Sequence, residues 1–311
     1  MSSISEEITS KLEKLGCSAK IVAISHINEM RDELFVLRDN NFIDKKLYED
    51  MLSGMNFDPD SVLKNTKSII VVAAPQIISK ASFQYKNNTY SLTIPPTYVA
   101  DDITSKVTEL TYETVSEYGF CAVKAPIPKK QLAVKSGLAK YGRNNITYIN
   151  GMGSFHTLIA YYTDLDLLAD SWQEAEINSD CTNCSVCLKN CPTGAISANR
   201  FLIHAEKCMT YFNEYSSPNY DFPEWIKPEW HNSLVGCMSC QLKCPKNSTF
   251  VNKHIELAAF TEEETKLLLD KVPLNILPKD TVKKLNNIAM TSNYSFLSRN
   301  IGILLTDTYK I

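Results

Sequence analysis

The chain has 311 residues, of which 44% are hydrophobic, with a formal net charge of -3 and a sequence pI near 6.0. This length and composition allow two domains with a sizeable core, and they exclude the disordered and fibrous classes. The mild acidity gives no overall attraction to nucleic acid, whose binding proteins usually carry a basic surface, so a nucleic-acid partner is the less expected one.

The first third of the chain alternates helix and strand patterns. Ser3 and Glu6 have the spacing of a capping box, which predicts a first helix that ends near Gly16. The β-branched runs AKIVAIS and SIIVVAAP have the length of strands, and SFQYKNNTYSLTI predicts a hairpin with its turn at residues 86–88.

The same alternation continues to about residue 175. Apolar residues from Ile103 to Val115 follow helical spacing, and Gly119 stands where a C-terminal cap is expected. CAVKAP, NITYIN and TLIAYYTD predict further strands, with a short helix from Leu132 to Ala139. The pattern predicts a layered α/β first domain over residues 1–175.

The composition then changes. Residues 176–252 are rich in Cys, Asn and Pro and cannot build much hydrophobic core, so another agent must hold this second domain together. Residues 253–311 predict a short helical segment, in which Thr261 and Glu264 form a second capping-box candidate.

The chain shows no secretory or membrane-spanning pattern. Its N-terminus lacks a basic stretch followed by an apolar core, and the longest apolar run, SIIVVAAPQII, is about half of a bilayer span and contains Pro75. We therefore expect a cytoplasmic protein. In a reducing compartment, closely spaced cysteines favour metal ligation over disulfides.

The stretch CTNCSVCLKNCP, which begins at Cys181, has the C-x2-C-x2-C-x3-C-P spacing of bacterial ferredoxins, in which the fourth cysteine ligates a second cluster. A partial repeat, GCMSCQLKCP, follows and supplies three more thiols. Cys208 is the only cysteine between the two motifs and completes the eight. The spacing predicts two 4Fe-4S clusters, one held by Cys181, Cys184, Cys187 and Cys244 and the other by Cys191, Cys208, Cys237 and Cys240.

Two alternatives concern the cysteines. Four thiolates can also bind zinc, although zinc motifs typically pair their thiols as C-x2-C and the triple found here is unusual for them. Cys17 and Cys121 lie outside both motifs and are expected to be buried apolar thiols.

The cysteine order and the upstream stretch LAVKSGLAKYGRNNITYINGMGSFHTLIAYYTDLDL resemble the epoxyqueuosine reductase and reductive dehalogenase superfamily. The matching pieces include SGLAKYGRNN, GMGSFH, TDLDL and the eight cysteines, and they span roughly Ser68 to Asn247. The resemblance implies a nitroreductase-like α/β domain that holds cobalamin, followed by a ferredoxin-like domain that carries the clusters. It also implies a corrinoid pocket lined by Arg143, Asn144, Asn145, Gly151, Gly153, Ser154, Phe155 and His156.

Two residues are candidates for the catalytic proton. Where epoxyqueuosine reductases carry an aspartate that is thought to protonate the substrate, an ungapped comparison places Lys129. Burial could lower the pKa of such a lysine and allow it to act as an acid. Tyr98 is a second candidate, as a phenol donor in the pocket.

These features predict an iron-sulfur oxidoreductase that passes electrons through two clusters to a cobalamin, which reduces an unidentified substrate. A low-potential donor such as a ferredoxin or flavodoxin would supply the electrons. One alternative is an electron-transfer or corrinoid-handling protein that reduces a partner. Another is an epoxyqueuosine reductase of tRNA queuosine synthesis.

Overall fold

The computed structural model describes residues 4–166, 170–214, 221–306 and 309–311. Ser3 of the first predicted cap and Leu167 of the TDLDL segment lie outside these residues. The helices that it describes are α1 (Ile4–Lys14), α2 (Ile27–Asp39), α3 (Lys45–Met51), α4 (Asp101–Ser116), α5 (Lys129–Lys135), α6 (Val186–Lys189), α7 (Met209–Glu214), α8 (Ser239–Leu242), α9 (Glu262–Leu269), α10 (Lys279–Asn287) and α11 (Tyr294–Leu304). The strands are β1 (Ser18–Ala23), β2 (Ser68–Pro75), β3 (Ile78–Tyr85), β4 (Asn88–Ile94), β5 (Ala122–Lys124), β6 (Lys140–Tyr141), β7 (Thr147–Tyr148), β8 (His156–Thr163) and β9 (His254–Phe260).

The chain divides into two compact units. The first unit comprises Met1–Gln76, Ala100–Ser185 and Ala198–Ile203, and the second comprises Ile77–Val99, Val186–Ser197 and His204–Ile311. The mixed α and β architecture agrees with the predicted fold class. The predicted limits at residues 175 and 252 stay a prediction, because compact units and functional domains are different divisions of a chain.

The first unit is built on an antiparallel sheet with the strand order β1-β2-β8-β5. Alternate residues of β2 enter two hydrophobic clusters on opposite faces, Ile69 with α2 and α5, and Ile70 with α1 and α4. Because successive side chains of a strand point to opposite faces, helices on both sides bury the whole apolar run. The predicted layered arrangement is confirmed.

The second unit has a three-stranded sheet with the order β4-β3-β9, in which β9 runs parallel to β3. Strands β3 and β4 form the predicted hairpin, with Tyr85 opposite Asn88 and a two-residue turn at Lys86 and Asn87. Both turn residues have positive φ, 48° and 60°, which matches the twist of the flanking strands. The hairpin packs with α9, α10 and α11 in the second unit.

Some predicted elements differ from those observed. The helix predicted from Leu132 begins instead at Lys129, and it ends before Gly137, whose φ of 74° is left-handed. NITYIN forms only a two-residue strand, because turns at Asn145 and at residues 149–153 occupy its flanks. Strand β9 was not predicted, since its pairing with β3 joins segments that are far apart in sequence. None of the described helices has both the length and the apolar character needed to cross a bilayer.

Candidate functional site

Three thiols of one predicted cluster lie close together in the second unit. The pKa of Cys208 is raised to about 11, mainly through desolvation by the surrounding protein and in part through the nearby Cys237 and Cys191. Such interactions require proximity. Three of the four cysteines predicted to share this cluster are therefore brought together, on segments widely separated in sequence.

Asn232 organises the loop that carries Cys237. Its side-chain Oδ1 accepts a hydrogen bond from the Met238 backbone N–H at 2.8 Å, and its Nδ2 donates to Ser239 Oγ at 2.7 Å. Asn232 Nδ2 and Ser239 Oγ each lie 3.5 Å from Cys237 Sγ. Hydrogen bonds to cluster sulfur help to set the reduction potential. Sequence reasoning missed this asparagine, because no spacing rule marks a single amide in a loop.

Tyr98 lies beside these thiols, within the second unit. Its hydroxyl donates to the Glu214 carboxylate. Burial raises the pKa of Tyr98 most, and the charges of Glu214, Cys208 and Cys237 raise it further. A Cβ at Gly236 would stand 2.6 Å from the Tyr98 hydroxyl oxygen, so the ring lies directly against the backbone that precedes Cys237. A role as substrate proton donor stays a prediction.

Two cysteines predicted to hold the other cluster lie on a 3-10 turn and on a short α-helix, respectively. Cys181 ends a 3-10 turn that Asn178 caps, with Asn178 Oδ1 accepting from the Asp180 N–H at 3.1 Å. Cys187 lies on α6, which packs against α8, the helix that ends just before Cys244.

The cysteine-rich loop after residue 175 is attached to strand β6 of the first unit. The Tyr141 N–H donates to the Glu176 carbonyl at 2.8 Å, and the Asn178 N–H donates to the Tyr141 carbonyl at 2.7 Å. Arg143 adds a side-chain contact, because its Nη2 donates to the carbonyl oxygens of Cys181 at 2.9 Å and Thr182 at 3.1 Å.

The donor set suits iron-sulfur clusters. Among the described residues, no three His, Cys, Asp or Glu side chains converge on one ion position. A 4Fe-4S cluster does not require this, since each of its four thiolates binds a different iron.

The two remaining cysteines differ from each other. Cys17 is buried, which confirms the predicted buried thiol, and burial raises its pKa to about 11. Cys121 is exposed, so the prediction of a second buried thiol is wrong. Its position immediately before the short edge strand β5 leaves its side chain without a covering element.

The first segment predicted to line a corrinoid pocket forms a tight turn between β6 and β7. Asn145 has a φ of 58°, and its N–H donates to the Gly142 carbonyl at 2.9 Å. Asn144 Nδ2 donates to the Tyr148 hydroxyl at 3.0 Å, and Lys130 Nζ donates to the Asn145 carbonyl at 3.2 Å. The turn is therefore held rigidly, and its lining role stays a prediction.

The second such segment, residues 151–156, connects β7 to β8. Gly151 is exposed with a φ of 77°, and no atom lies within 4 Å of the position that a Cβ would take. Gly153 also has a positive φ, 57°. Ser154, Phe155 and His156 are buried. The backbone at Gly151 is thus the open part of this segment.

His156 is buried with one ring nitrogen unsatisfied. Its Nε2 lies 2.9 Å from Thr147 Oγ1, whereas Nδ1 makes no hydrogen bond of normal geometry among the described residues, although the Gly153 backbone lies near the ring. Burial lowers the pKa of His156 to about 4, so the ring is neutral at pH 7. An unpaired buried donor or acceptor calls for a ligand or a water molecule.

Lys129 begins α5 with an exposed side chain. Desolvation by the surrounding protein nevertheless lowers its pKa, and the charge of Lys124 lowers it further. This environment suits a proton donor, and the catalytic role stays a prediction.

Similarities to known proteins fit this geometry. The family model described as a 4Fe-4S double cluster binding domain matches residues 180–247. The chain is 25% identical to an epoxyqueuosine reductase of Cellulophaga algicola over 85% of this chain and 86% of the relative. It is 28% identical to that of Leadbetterella byssophila over 87% and 88%, respectively.

A solved structure shares the fold. The chain aligns with a TM-score of 0.68 and 17% identity with an epoxyqueuosine reductase crystallised with an epoxyqueuosine-modified tRNA-Tyr stem loop. The alignment covers 96% of this chain and 80% of the other.

Proposed function

We propose that this chain, a divergent member of the epoxyqueuosine reductase and reductive dehalogenase-like superfamily, reduces an epoxide on a modified tRNA nucleoside with electrons that pass through its two clusters. The proposal rests mainly on the eight cysteines, which follow the order of a double cluster domain. Three of them, Cys191, Cys208 and Cys237, lie together in the structure. The similarity to epoxyqueuosine reductases over most of both chains supports the substrate class.

The electron count fits two one-electron centres. Reduction of an epoxide consumes two electrons and two protons, and a 4Fe-4S cluster exchanges one electron at a time. A low-potential donor such as a ferredoxin or flavodoxin supplies the electrons singly. The chain's own part is to hold the clusters, to set their potentials through burial and hydrogen bonds to sulfur, and to exclude water.

Cobalamin is the proposed acceptor of these electrons. The open backbone at Gly151 and the unpaired Nδ1 of His156 fit a large ligand that approaches main chain and needs few side-chain bonds. When bound, a corrinoid supplies a cobalt centre that takes up electrons singly and attacks carbon. Arg143, Asn144, Asn145 and the segment 151–156 would hold it.

Lys129 is the proposed source of a proton. Desolvation and the charge of Lys124 lower its pKa, which makes the ammonium a stronger acid, and its side chain is exposed. It stands where the resemblance expects an aspartate.

The proposal is tested by anaerobic purification and an assay on tRNA. We expect about eight irons per chain with matching sulfide. Added cobalamin should change its absorption spectrum, and epoxyqueuosine in tRNA should be consumed when dithionite supplies electrons. Deletion of the gene should leave tRNA arrested at epoxyqueuosine. Bound zinc without sulfide, or clusters without any change in the tRNA, would contradict the proposal.

A second candidate is an electron-transfer or corrinoid-handling protein that reduces a partner. The observation that favours it is the lysine at the position where relatives are expected to carry an acid. In that case the clusters would be present and reducible, and the tRNA would be unchanged. A cobalamin spectrum that stays unchanged on mixing would select the electron carrier.

A further inference from the structure

We infer that Arg143 is a positioning residue for the electron path: it fixes the first cluster-binding loop and raises the reduction potential of the cluster that Cys181 ligates. This inference rests on the two-cluster electron path of the proposed function. This role is additional to the proposed contact of Arg143 with a corrinoid.

The backbone that carries the Arg143 side chain is held in a tight turn. Arg143 lies in the turn between β6 and β7, where the Gly142 N–H donates to the Ile146 carbonyl at 2.8 Å and Asn145 has a left-handed φ of 58°. A Cβ at Gly142 would stand 2.4 Å from a ring carbon of Tyr148, so the turn packs without spare room. The Arg143 backbone therefore has little freedom.

The Arg143 guanidinium contacts the loop that carries Cys181. Nη2 of Arg143 donates to two consecutive carbonyl oxygens, those of Cys181 and Thr182, at 2.9 and 3.1 Å. The same loop is already paired with Tyr141 through backbone hydrogen bonds at residues 176 and 178. Arg143 thus extends the anchoring from the strand to the first ligand residue.

The positive charge of Arg143 is not neutralised by an ion pair among the described residues. No salt bridge joins Arg143 to a carboxylate within the described part of the chain, and its buried Nε has no hydrogen-bond partner there. Carbonyl dipoles orient the guanidinium without cancelling its charge. Because the side chain is only half-buried, solvent screens this charge in part.

The charge of Arg143 should affect the reduction potential of the cluster that Cys181 ligates. A cluster becomes more negative by one charge when it is reduced, so a nearby cation stabilises the reduced form and raises the potential. In the Cys208 cluster, the side chains that contact Cys237 are those of the neutral Asn232 and Ser239. We therefore expect an arriving electron to reside on the Cys181 cluster, because Arg143 stabilises its reduced form.

The test is a redox titration followed by electron paramagnetic resonance, which needs neither substrate nor cobalamin. In Arg143→Gln, the ratio of reduced to oxidised Cys181 cluster at a fixed potential should fall about tenfold, which corresponds to about 59 mV for a one-electron couple. The Cys208 cluster should keep its potential. The two signals can be assigned in Cys208→Ala, which should retain only the first cluster.

Two further variants separate charge from anchoring. Arg143→Lys keeps the charge and should titrate close to the unmodified protein. Arg200→Gln is the matched control, since Arg200 also lies in the first unit and donates to two backbone carbonyls, those of Leu202 and Phe42. It should leave both potentials unchanged.

The outcomes are distinct. Loss of the first cluster in Arg143→Gln, with retention at the native potential in Arg143→Lys, would also support the inference. An unchanged potential in Arg143→Gln, an equal shift in Arg200→Gln, or loss of the first cluster in both Arg143 variants would overturn it. Absence of iron and sulfide from the unmodified protein would instead refute the proposed function.

Discussion

Gly236 shows at the residue scale how closely the protein packs around the Cys208 cluster. Its φ of 63° is left-handed, and a Cβ there would meet the Tyr98 hydroxyl at 2.6 Å. Gly236→Ala should lower the free energy of unfolding by about 2–4 kcal/mol, because left-handed strain and overpacking add. Anaerobic denaturant titration measures this change.

Gly194→Ala separates the two causes. Gly194 also lies in the second unit and has a φ of 66°, but nothing lies within 4 Å of its Cβ position. Only the backbone strain applies, so this variant should lose about 1–2 kcal/mol. Equal losses in both variants would show that the contact with Tyr98 is of no consequence.

Cys208 is the ligand whose assignment depends on the fewest sequence signals, since it belongs to neither cysteine motif. Its proximity to Cys237 and Cys191 supports membership of one cluster only. Cys208→Ala should therefore reduce the iron content from about eight to about four per chain and leave one resonance signal intact. Exposed Cys121 provides the control, because Cys121→Ala should keep all the iron. Full iron content in Cys208→Ala would refute the assignment.

Helix α9 is the element whose beginning was best specified by the sequence. Thr261 and Glu264 form the predicted capping box, with Thr261 N–H to Glu264 at 2.8 Å and Glu264 N–H to Thr261 Oγ1 at 3.2 Å. Glu264 also accepts from Lys284 Nζ at 2.6 Å and Thr281 Oγ1 at 3.0 Å, both on α10. One carboxylate therefore caps one helix and joins it to the next.

The stability supplied by Glu264 should depend on pH. Burial alone would raise its pKa, but the hydrogen bonds from Lys284, Thr261 and Thr281 outweigh burial and lower the pKa below its ordinary value of 4.5. Its contribution is therefore complete above pH 4.5 and is lost as the pH falls through the lower folded-state pKa.

Glu264→Gln should cost about 2 kcal/mol at pH 7. Denaturation compared between the two proteins from pH 7 to pH 3 should show this difference shrinking below pH 4.5, and the comparison cancels any acid loss of the clusters. Glu263→Gln, at an exposed position in the same first turn, should change stability little at either pH. A difference that does not depend on pH would contradict the role of the carboxylate charge.

The elements that the sequence predicted well are those with local causes. The run SIIVVAAP became β2 with the predicted limits because its burial on both faces requires apolar residues throughout. The hairpin turn at Lys86 and Asn87 was predictable, because a two-residue turn depends on those two residues themselves. In contrast, β9 and the contact of Arg143 with Cys181 depend on chain segments brought together only by folding. No spacing rule reveals such contacts.

The two clusters of the whole molecule were predictable, whereas their surroundings were not. The ferredoxin spacing predicts seven ligands and Cys208 was assigned as the cysteine between the two motifs; the match to a 4Fe-4S double cluster binding domain supports the two clusters, while the individual ligands stay a prediction. Tyr98 was predicted as a candidate phenol donor in the pocket, which stays a prediction, and the structure places its ring against the backbone that precedes Cys237. A single tyrosine carries no pattern that distinguishes these two positions.

Removal of the clusters should affect the two units unequally. Helices α6, α7 and α8 have only 4, 6 and 4 residues, and helices this short are unstable without tertiary support. The clusters supply that support, so metal binding and local folding are coupled. The first unit's sheet instead has its own hydrophobic clusters on both faces.

Hydrogen exchange detected by mass spectrometry, before and after anaerobic chelation of the iron, measures this difference. Amides of residues 186–197 and 204–252, where described, should lose protection, whereas those of β1, β2 and β8 should keep it. In the hairpin of β3 and β4 we expect partial loss, because Leu234, from the loop before Cys237, packs in the same core and donates its N–H to the Thr93 carbonyl at 2.7 Å. Equal loss in β2 would mean that the clusters hold the entire fold rather than the cysteine-rich segments.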